Sequence, residues 1–134
     1  MAEFVVDASA LAKLFLDEPE SKAFRTWYLA QIQLGAVFAA PGLLGYEVAH
    51  LMARNLDVPA KPKDWFAVRH DEALEGIVLH HQIARLIQPF ARKLTGYDAS
   101  YIALAVAEGA ALVSYDRVLV REAGAHGVAT VSPS

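Results

Sequence analysis

Four acidic residues have sequence neighbours that favour a shared chemical role. Asp7 and Asp116 each come just after a short apolar segment that is typical of a buried strand. Glu47 and Asp98 lie within longer apolar segments of helical spacing. Carboxylate oxygens are the ligands that Mg²⁺ and Mn²⁺ prefer. The sequence therefore predicts a metal site at these four acids, if the fold brings them together.

The chemistry that such a group of acids favours is hydrolysis of a phosphodiester. Carboxylates that converge repel one another, so their pKa values rise unless a cation neutralises them. A divalent cation held between them lowers the pKa of a bound water and neutralises the charge of a phosphate. The candidate metal ligands and catalytic residues are Asp7, Glu47, Asp98 and Asp116.

Helix capping is the structural alternative for three of these acids. Asp7 and Asp116 both precede predicted helices, and Asp is a preferred N-cap residue. Asp98 could cap the helix that it opens, although Thr95 or Gly96 could also do so. A carboxylate has several lone pairs, so one residue can cap a helix and bind a metal ion.

Glu47 is the least ordinary of the four, because the helix predicted around it is otherwise nearly all apolar. Leu44 and Leu51 flank it on the same face. A buried carboxylate without a partner is costly, so the alternative is an edge position that reaches solvent. Glu47 and His50 also form an E-x-x-H pair, but di-iron sites need two such pairs and the sequence has one.

Short apolar strands alternate with helices along the chain. The spacing predicts strands at 3–6, 37–40, 77–80, 111–114 and 128–131. It predicts helices at 7–16, 22–34, 42–55, 65–74, 81–94, 95–109 and 116–124. Pro41 is placed in the first turn of the third helix, Asp64 caps the fourth, and Pro89 kinks or divides the fifth.

This alternation favours the α/β class, with βαβ units on a parallel sheet. Ligands bind such sheets at the carboxyl ends of the strands, where Asp7 and Asp116 lie. Neighbouring strands are about 4.8 Å apart, so the two acids could reach one ion if their strands pair.

The composition indicates one folded domain over residues 1–134, with 55% hydrophobic and 20% charged residues. The absence of cysteine excludes disulfides and thiolate metal sites, and agrees with a cytoplasmic protein. No apolar run is long enough to span a bilayer, and the first residues lack the basic segment of a signal peptide. We therefore expect no contact with a membrane.

The formal net charge of −3 does not indicate a strongly basic nucleic-acid-binding domain. The cations that could contact phosphates are Lys13, Arg54, Arg92, Lys93, Arg117 and Arg121. No glycine-rich phosphate loop, nucleophile elbow or zinc ligand set is present. The sequence therefore argues against an ATP- or dinucleotide-dependent enzyme.

Four segments of the chain resemble, in order and spacing, the motifs of PIN-domain nucleases. They are VVDASAL, the helix with Glu47 after Pro41, YDASYIALA and LVSYDRVL. Each motif alone is short, but together they cover essentially the whole chain. Among PIN-domain proteins, the sequence is most similar to VapC-type toxins of toxin–antitoxin pairs.

The resemblance implies a three-layer α/β/α sandwich with a central parallel sheet of about five strands, and Mg²⁺- or Mn²⁺-dependent RNA cleavage. It assigns metal ligation to Asp7, Glu47, Asp98 and Asp116. Ser9 and Ser114 match small hydroxyl positions near the first and last acids, where Ser114 would orient a carboxylate or a water. It also implies a homodimer and a small antitoxin that blocks the site.

Two other functions stay open on the sequence alone. A PIN-like module that has lost cleavage would act through protein contacts and would not bind metal. A phosphatase of the haloacid-dehalogenase type would use Asp7 as a nucleophile, but it needs a second Asp where this chain has Ser9. His50 also departs from the toxins, which often have a polar amide at its position.

Overall fold

The computed structural model describes residues 1–134 and contains one five-stranded sheet in the order β3-β2-β1-β4-β5. The strands are β1 (Phe4–Val6), β2 (Phe38–Pro41), β3 (Ile77–His80), β4 (Ala111–Val113) and β5 (Thr130–Val131). Every neighbouring pair is parallel. The predicted α/β class and parallel sheet are confirmed.

Six helices connect the strands. They are α1 (Ala8–Leu11), α2 (Ser21–Gln33), α3 (Leu44–Asn55), α4 (Trp65–Glu75), α5 (Gly96–Glu108) and α6 (Arg117–Ala125). Crossovers between parallel strands are right-handed in nearly all proteins, and the chain reverses direction across the sheet after β3. The helices before and after β3 therefore cover opposite faces, which gives the expected three layers. No helix is long and apolar enough to cross a membrane.

The three inner strands, β1, β2 and β4, are buried on both faces. Val5, Val6, Ala39, Leu112 and Val113 are fully buried. Strands with helices on both faces have continuous apolar sequences of this kind, because neither side faces water. Helix α5 packs across β1, β2 and β4, and so holds its first turn beside the carboxyl ends of these strands.

The helix predicted at 81–94 is wrong. The structure has two short 3₁₀ turns there, Ala84–Leu86 and Gln88–Phe90. Pro89 has no N–H to donate, and its ring would clash with the preceding helical turn. The apolar spacing of the segment instead serves contacts of both turns with α5.

Two local predictions at element boundaries are also wrong. Pro41 is the last residue of β2 and not part of α3; β1 pairs with β2 only up to Ala39, so Pro41 lies beyond the doubly paired part of the strand. Asp64 precedes α4 but does not cap it with its side chain. Its backbone is left-handed, with φ of 69°, whereas a side-chain cap requires an extended backbone.

Candidate active site

The four acids singled out in the sequence all line one cavity of about 600 Å³. They are Asp7, Glu47, Asp98 and Asp116. No Lys or Arg lines this cavity. None of the four carboxylates takes part in an ion pair.

Asp7 and Asp116 meet because β1 and β4 are neighbours in the sheet. Val6 pairs with Val113, and the amide of Asp7 donates a hydrogen bond of 3.1 Å to the carbonyl of Val113. From β1 the chain continues to β2 on one side, whereas β4 lies on the other. Such a switch point leaves a crevice at the carboxyl ends of the strands, where α/β proteins bind ligands.

Both residues also cap helices, as the structural alternative predicted. Asp7 Oδ1 accepts a hydrogen bond of 3.0 Å from Ala10 N. Asp116 Oδ1 accepts hydrogen bonds of 3.0 and 3.1 Å from Val118 N and Leu119 N. The second oxygen of Asp116 accepts no hydrogen bond within the protein, so capping leaves it free for a ligand.

Two serines hold the buried carboxylate of Asp7. Ser114 Oγ donates to Oδ2 at 2.6 Å, and Ser9 Oγ donates to Oδ1 at 2.7 Å. Each hydroxyl also accepts a hydrogen bond from a backbone amide. Asp116 N donates to Ser114 Oγ at 3.0 Å, and Tyr115 N donates to Ser9 Oγ at 2.9 Å. The serines therefore tie the segments that follow β1 and β4 to one carboxylate.

Burial dominates the electrostatics of Asp7, which is 4% exposed. It raises the pKa of Asp7 to about 6, against the lowering effect of hydrogen bonds from Ser114, Ser9 and the Ala10 amide. The charge of Asp116 raises this pKa further. An ionised Asp7 is therefore costly in the protein alone, and a cation beside it would reduce that cost.

Glu47 lies in the first turn of α3 and is half-buried. Tyr101, on α5, donates its hydroxyl to Glu47 Oε1 at 2.5 Å. Burial raises the pKa of Glu47, the Tyr101 hydrogen bond lowers it, and the charge of Asp98 raises it. The sequence interpretation missed Tyr101, although its position three residues after Asp98 places it on the same helix face.

Asp98 is not the cap of α5. Thr95 is the N-cap, and its Oγ1 accepts a hydrogen bond of 3.2 Å from Asp98 N. The carboxylate of Asp98 is therefore not needed for capping. Burial, and then the charge of Asp116, raise the pKa of Asp98.

The donor set of the cavity fits a hard divalent cation. The four side chains carry only oxygen donors, and neighbouring carboxylates raise the pKa values of Asp7, Glu47 and Asp98. No group of three or more Asp, Glu or His side chains is gathered closely enough to hold a metal ion by itself. Mg²⁺ typically takes one or two carboxylates and completes its shell with water and substrate phosphate.

The cations considered for phosphate binding lie elsewhere. Lys13 is 5% exposed and pairs with Glu18 at 3.0 Å and with Glu20 at 3.2 Å, so it is not available to a ligand. None of the other five lines the cavity. His50 does line it and is exposed.

A model of the PIN domain matches residues 4–124. This chain belongs to the PIN domain family. The members of this family are nucleases, so the acid-lined cavity lies in a fold that is used for phosphodiester hydrolysis.

Several solved structures are similar to nearly the whole chain. PAE2754 from Pyrobaculum aerophilum is 26% identical, with a TM-score of 0.63 over 97% of this chain and 90% of its own. VapC20 from Mycobacterium tuberculosis, described as a sarcin-ricin loop cleaving toxin, is 17% identical, with a TM-score of 0.69 over 97% and 99%. FitAcB from Neisseria gonorrhoeae is 15% identical, with a TM-score of 0.65 over 97% of each chain. The last two show a shared fold. No protein with a curated functional description matches the chain significantly.

Proposed function

We propose that this PIN domain, spanning residues 1–134, is a divalent-metal-dependent endoribonuclease that hydrolyses RNA phosphodiesters. The observation that carries the proposal is the single cavity lined by Asp7, Glu47, Asp98 and Asp116, with no Lys or Arg beside them. Burial and neighbouring carboxylates raise the pKa values of Asp7, Glu47 and Asp98, and binding of Mg²⁺ or Mn²⁺ would favour their ionised forms.

We assign a role to each acid. Asp7, Asp98 and Asp116 would hold the metal ion, and Glu47 would either bind a second ion or orient the attacking water. A bound Mg²⁺ or Mn²⁺ would lower the pKa of that water and neutralise the phosphate. Ser9 and Ser114 fix both oxygens of Asp7, and Tyr101 fixes Oε1 of Glu47.

The residue two positions after Asp7 argues against the phosphatase alternative. That alternative needs a second acid there, and this chain has Ser9, whose hydroxyl donates to Asp7 Oδ1. A serine hydroxyl cannot replace the second carboxylic acid of the haloacid-dehalogenase pattern, because it is far less acidic.

We further propose that the protein is the toxin of a VapBC-type pair. The resemblance of its motifs to VapC-type toxins and the fold shared with VapC20 support this proposal. The partners would then be an RNA substrate, a second copy of the chain and a small antitoxin that covers the cavity.

The test is cleavage of a mixed pool of tRNA and rRNA by the purified protein with Mg²⁺ or Mn²⁺, and with a chelator. We expect discrete cuts that the chelator and Asp98→Asn abolish. Asp71→Asn is the matched control, because this Asp side chain is 85% exposed and lies outside the cavity. Cuts that persist in the chelator, or that Asp98→Asn leaves unchanged, would contradict the proposal.

One observation favours a second candidate, a PIN-like interaction module without nuclease activity. The acidic side chains are not gathered into a complete metal cluster. Titration calorimetry with Mn²⁺ separates the two functions: heat of binding that Asp98→Asn removes supports the nuclease, and no heat at all supports the interaction module.

A further inference from the structure

Two tyrosines are the only exposed aromatic residues of the chain, and both line the acidic cavity. Tyr46 is 83% exposed and Tyr97 is 71% exposed, whereas every other Phe, Tyr and Trp is buried or half-buried. Aromatic rings normally pack into cores, because each buries a large apolar area. Two rings left in solvent at one cavity therefore indicate a binding role.

Their positions relate them directly to the candidate chemistry. Tyr46 immediately precedes Glu47 in the first turn of α3, and Tyr97 immediately precedes Asp98 in the first turn of α5. Each of the two helices therefore contributes one ring and one carboxylate to the same cavity. A substrate whose phosphate reaches these carboxylates would have its nearby bases in the cavity that the rings line.

The tyrosines also line a second cavity of about 480 Å³, so they lie between two adjoining spaces. Leu43 is the third residue that both cavities share. His81 and Ile83 also line the second cavity. A nucleotide chain that leaves the acidic cavity past the tyrosines therefore has room to continue.

Neither cavity contains a Lys or an Arg. Ion pairs of phosphates with Lys or Arg supply most of the affinity of basic nucleic-acid-binding proteins, and the lining of these two cavities does not offer them. Stacking of bases on aromatic rings is the other general source of affinity for single strands. It tolerates any base, because every base has a π-face.

We propose that Tyr46 and Tyr97 form a stacking platform for unpaired bases on either side of the phosphate that is cut, an inference that rests on the proposed nuclease function. Within a duplex each base face is covered by its neighbours, so a paired substrate cannot use the platform. The two rings would therefore decide how an unpaired stretch of the substrate is held beside the carboxylates.

Binding can be measured without cleavage. Fluorescence anisotropy would follow labelled oligo-U and oligo-A, and a perfectly paired RNA duplex of equal length, in the Asp98→Asn background with Mg²⁺. We expect the single strands to bind more tightly than the duplex. Adding Tyr46→Ala or Tyr97→Ala should weaken single-strand binding by about tenfold each and leave duplex binding unchanged.

Matched variants separate stacking from other effects. Tyr46→Phe and Tyr97→Phe keep the ring and should stay within about twofold of the parent protein. Leu29→Ala removes an exposed apolar side chain on α2, which lines neither cavity, and should have no effect. Thermal unfolding would verify that all variants fold, as expected for changes at exposed positions.

Two binding results would overturn the platform: equal binding of single strands and duplex, or unchanged RNA binding in the Ala variants. A changed oligomeric state of the Ala variants in light scattering, with RNA binding intact, would also overturn it, because the tyrosines would then be a protein contact.

The platform and the nuclease can fail separately. Ring-dependent binding together with no cleavage by the wild-type protein in any metal supports the platform and overturns the nuclease. Metal-dependent cleavage with the same KM in the Ala variants supports the nuclease and overturns the platform.

Discussion

The hydroxyl of Tyr101 donates a hydrogen bond to Oε1 of Glu47, across 54 positions of the chain. This contact joins α5 to α3 at the cavity and fixes one oxygen of the glutamate. The ring of Tyr101 is itself buried at 1% exposure, so the donor has little freedom to move away. Tyr101 is therefore a positioning residue for a carboxylate that would act on the substrate or the metal.

Tyr101→Phe should lower kcat about tenfold with little change in KM, because a hydrogen bond to a charged group contributes about 1.5 kcal/mol or more. The hydrogen bond lowers the pKa of Glu47, so its removal should move the acid limb of the pH–rate profile to higher pH. Steady-state kinetics across pH would measure both effects.

Tyr28→Phe is the matched control for that variant. Tyr28 is half-buried on α2 and lines neither cavity, so the Tyr28→Phe variant should have the kcat, KM and pH profile of the wild type. An unshifted pH profile and unchanged kcat in Tyr101→Phe would show that the contact has no part in positioning Glu47.

Asp7→Asn should abolish cleavage and remove a pH dependence from the stability of the metal-free protein. The pKa of Asp7 is raised from 3.8 to about 6 in the folded state, mainly by burial. The folded protein therefore holds this proton more tightly than the unfolded chain, and the free energy of unfolding falls as pH rises through that window. The loss is on the order of 3 kcal/mol by neutral pH.

Urea unfolding in a chelator would measure this effect at about pH 5 and about pH 8. Asn does not titrate, so the variant should lack this pH dependence, and its stability relative to the wild type should be greater at the higher pH than at the lower. The same stability difference at both pH values would mean that Asp7 is not the group responsible.

Ser114→Ala should lower activity by making the Asp7 carboxylate harder to ionise. The hydroxyl of Ser114 is fully buried, donates to Asp7 Oδ2 and lowers the pKa of that residue. Without it, the pKa of Asp7 should rise above about 6, and more Mg²⁺ should be needed for half-maximal cleavage.

The metal dependence of the initial rate would test the Ser114 prediction. Ser132→Ala is a useful comparison, because this hydroxyl donates to the backbone carbonyl of Ser114 and does not touch Asp7. Equal metal dependence in the two variants would assign the effect to local packing rather than to the carboxylate.

Mg²⁺ or Mn²⁺ should raise the melting temperature of the wild-type protein. At a free metal concentration of about ten times Kd the stabilisation is about 1.4 kcal/mol, or a few degrees for a domain of this size. Glu47→Gln and Asp98→Asn should reduce the shift, since each removes a charge from the cavity. Asp71→Asn should retain it in full, and a shift that all three variants share would place the ion elsewhere.

The elements of the fold were largely predictable because their signals are local. All five strands lie within a few residues of the segments with apolar spacing, and α5 is capped at its end by Gly109, whose φ of 62° suits a glycine. The failures were also local in kind. In 81–94 the apolar spacing indicated a helix, whereas the proline and the contacts with α5 favoured short turns.

The sequence by itself determined which acids follow strands or open helices, and so named the members of the candidate site. It did not determine that β1 and β4 pair, that Ser114 reaches Asp7 across 107 positions, or that Tyr101 reaches Glu47. These contacts depend on strand order and on the crossing of α5 over the sheet, which long-range packing selects. Periodicity along a chain records which face of an element is buried, whereas the partner on that face is decided only when the elements pack.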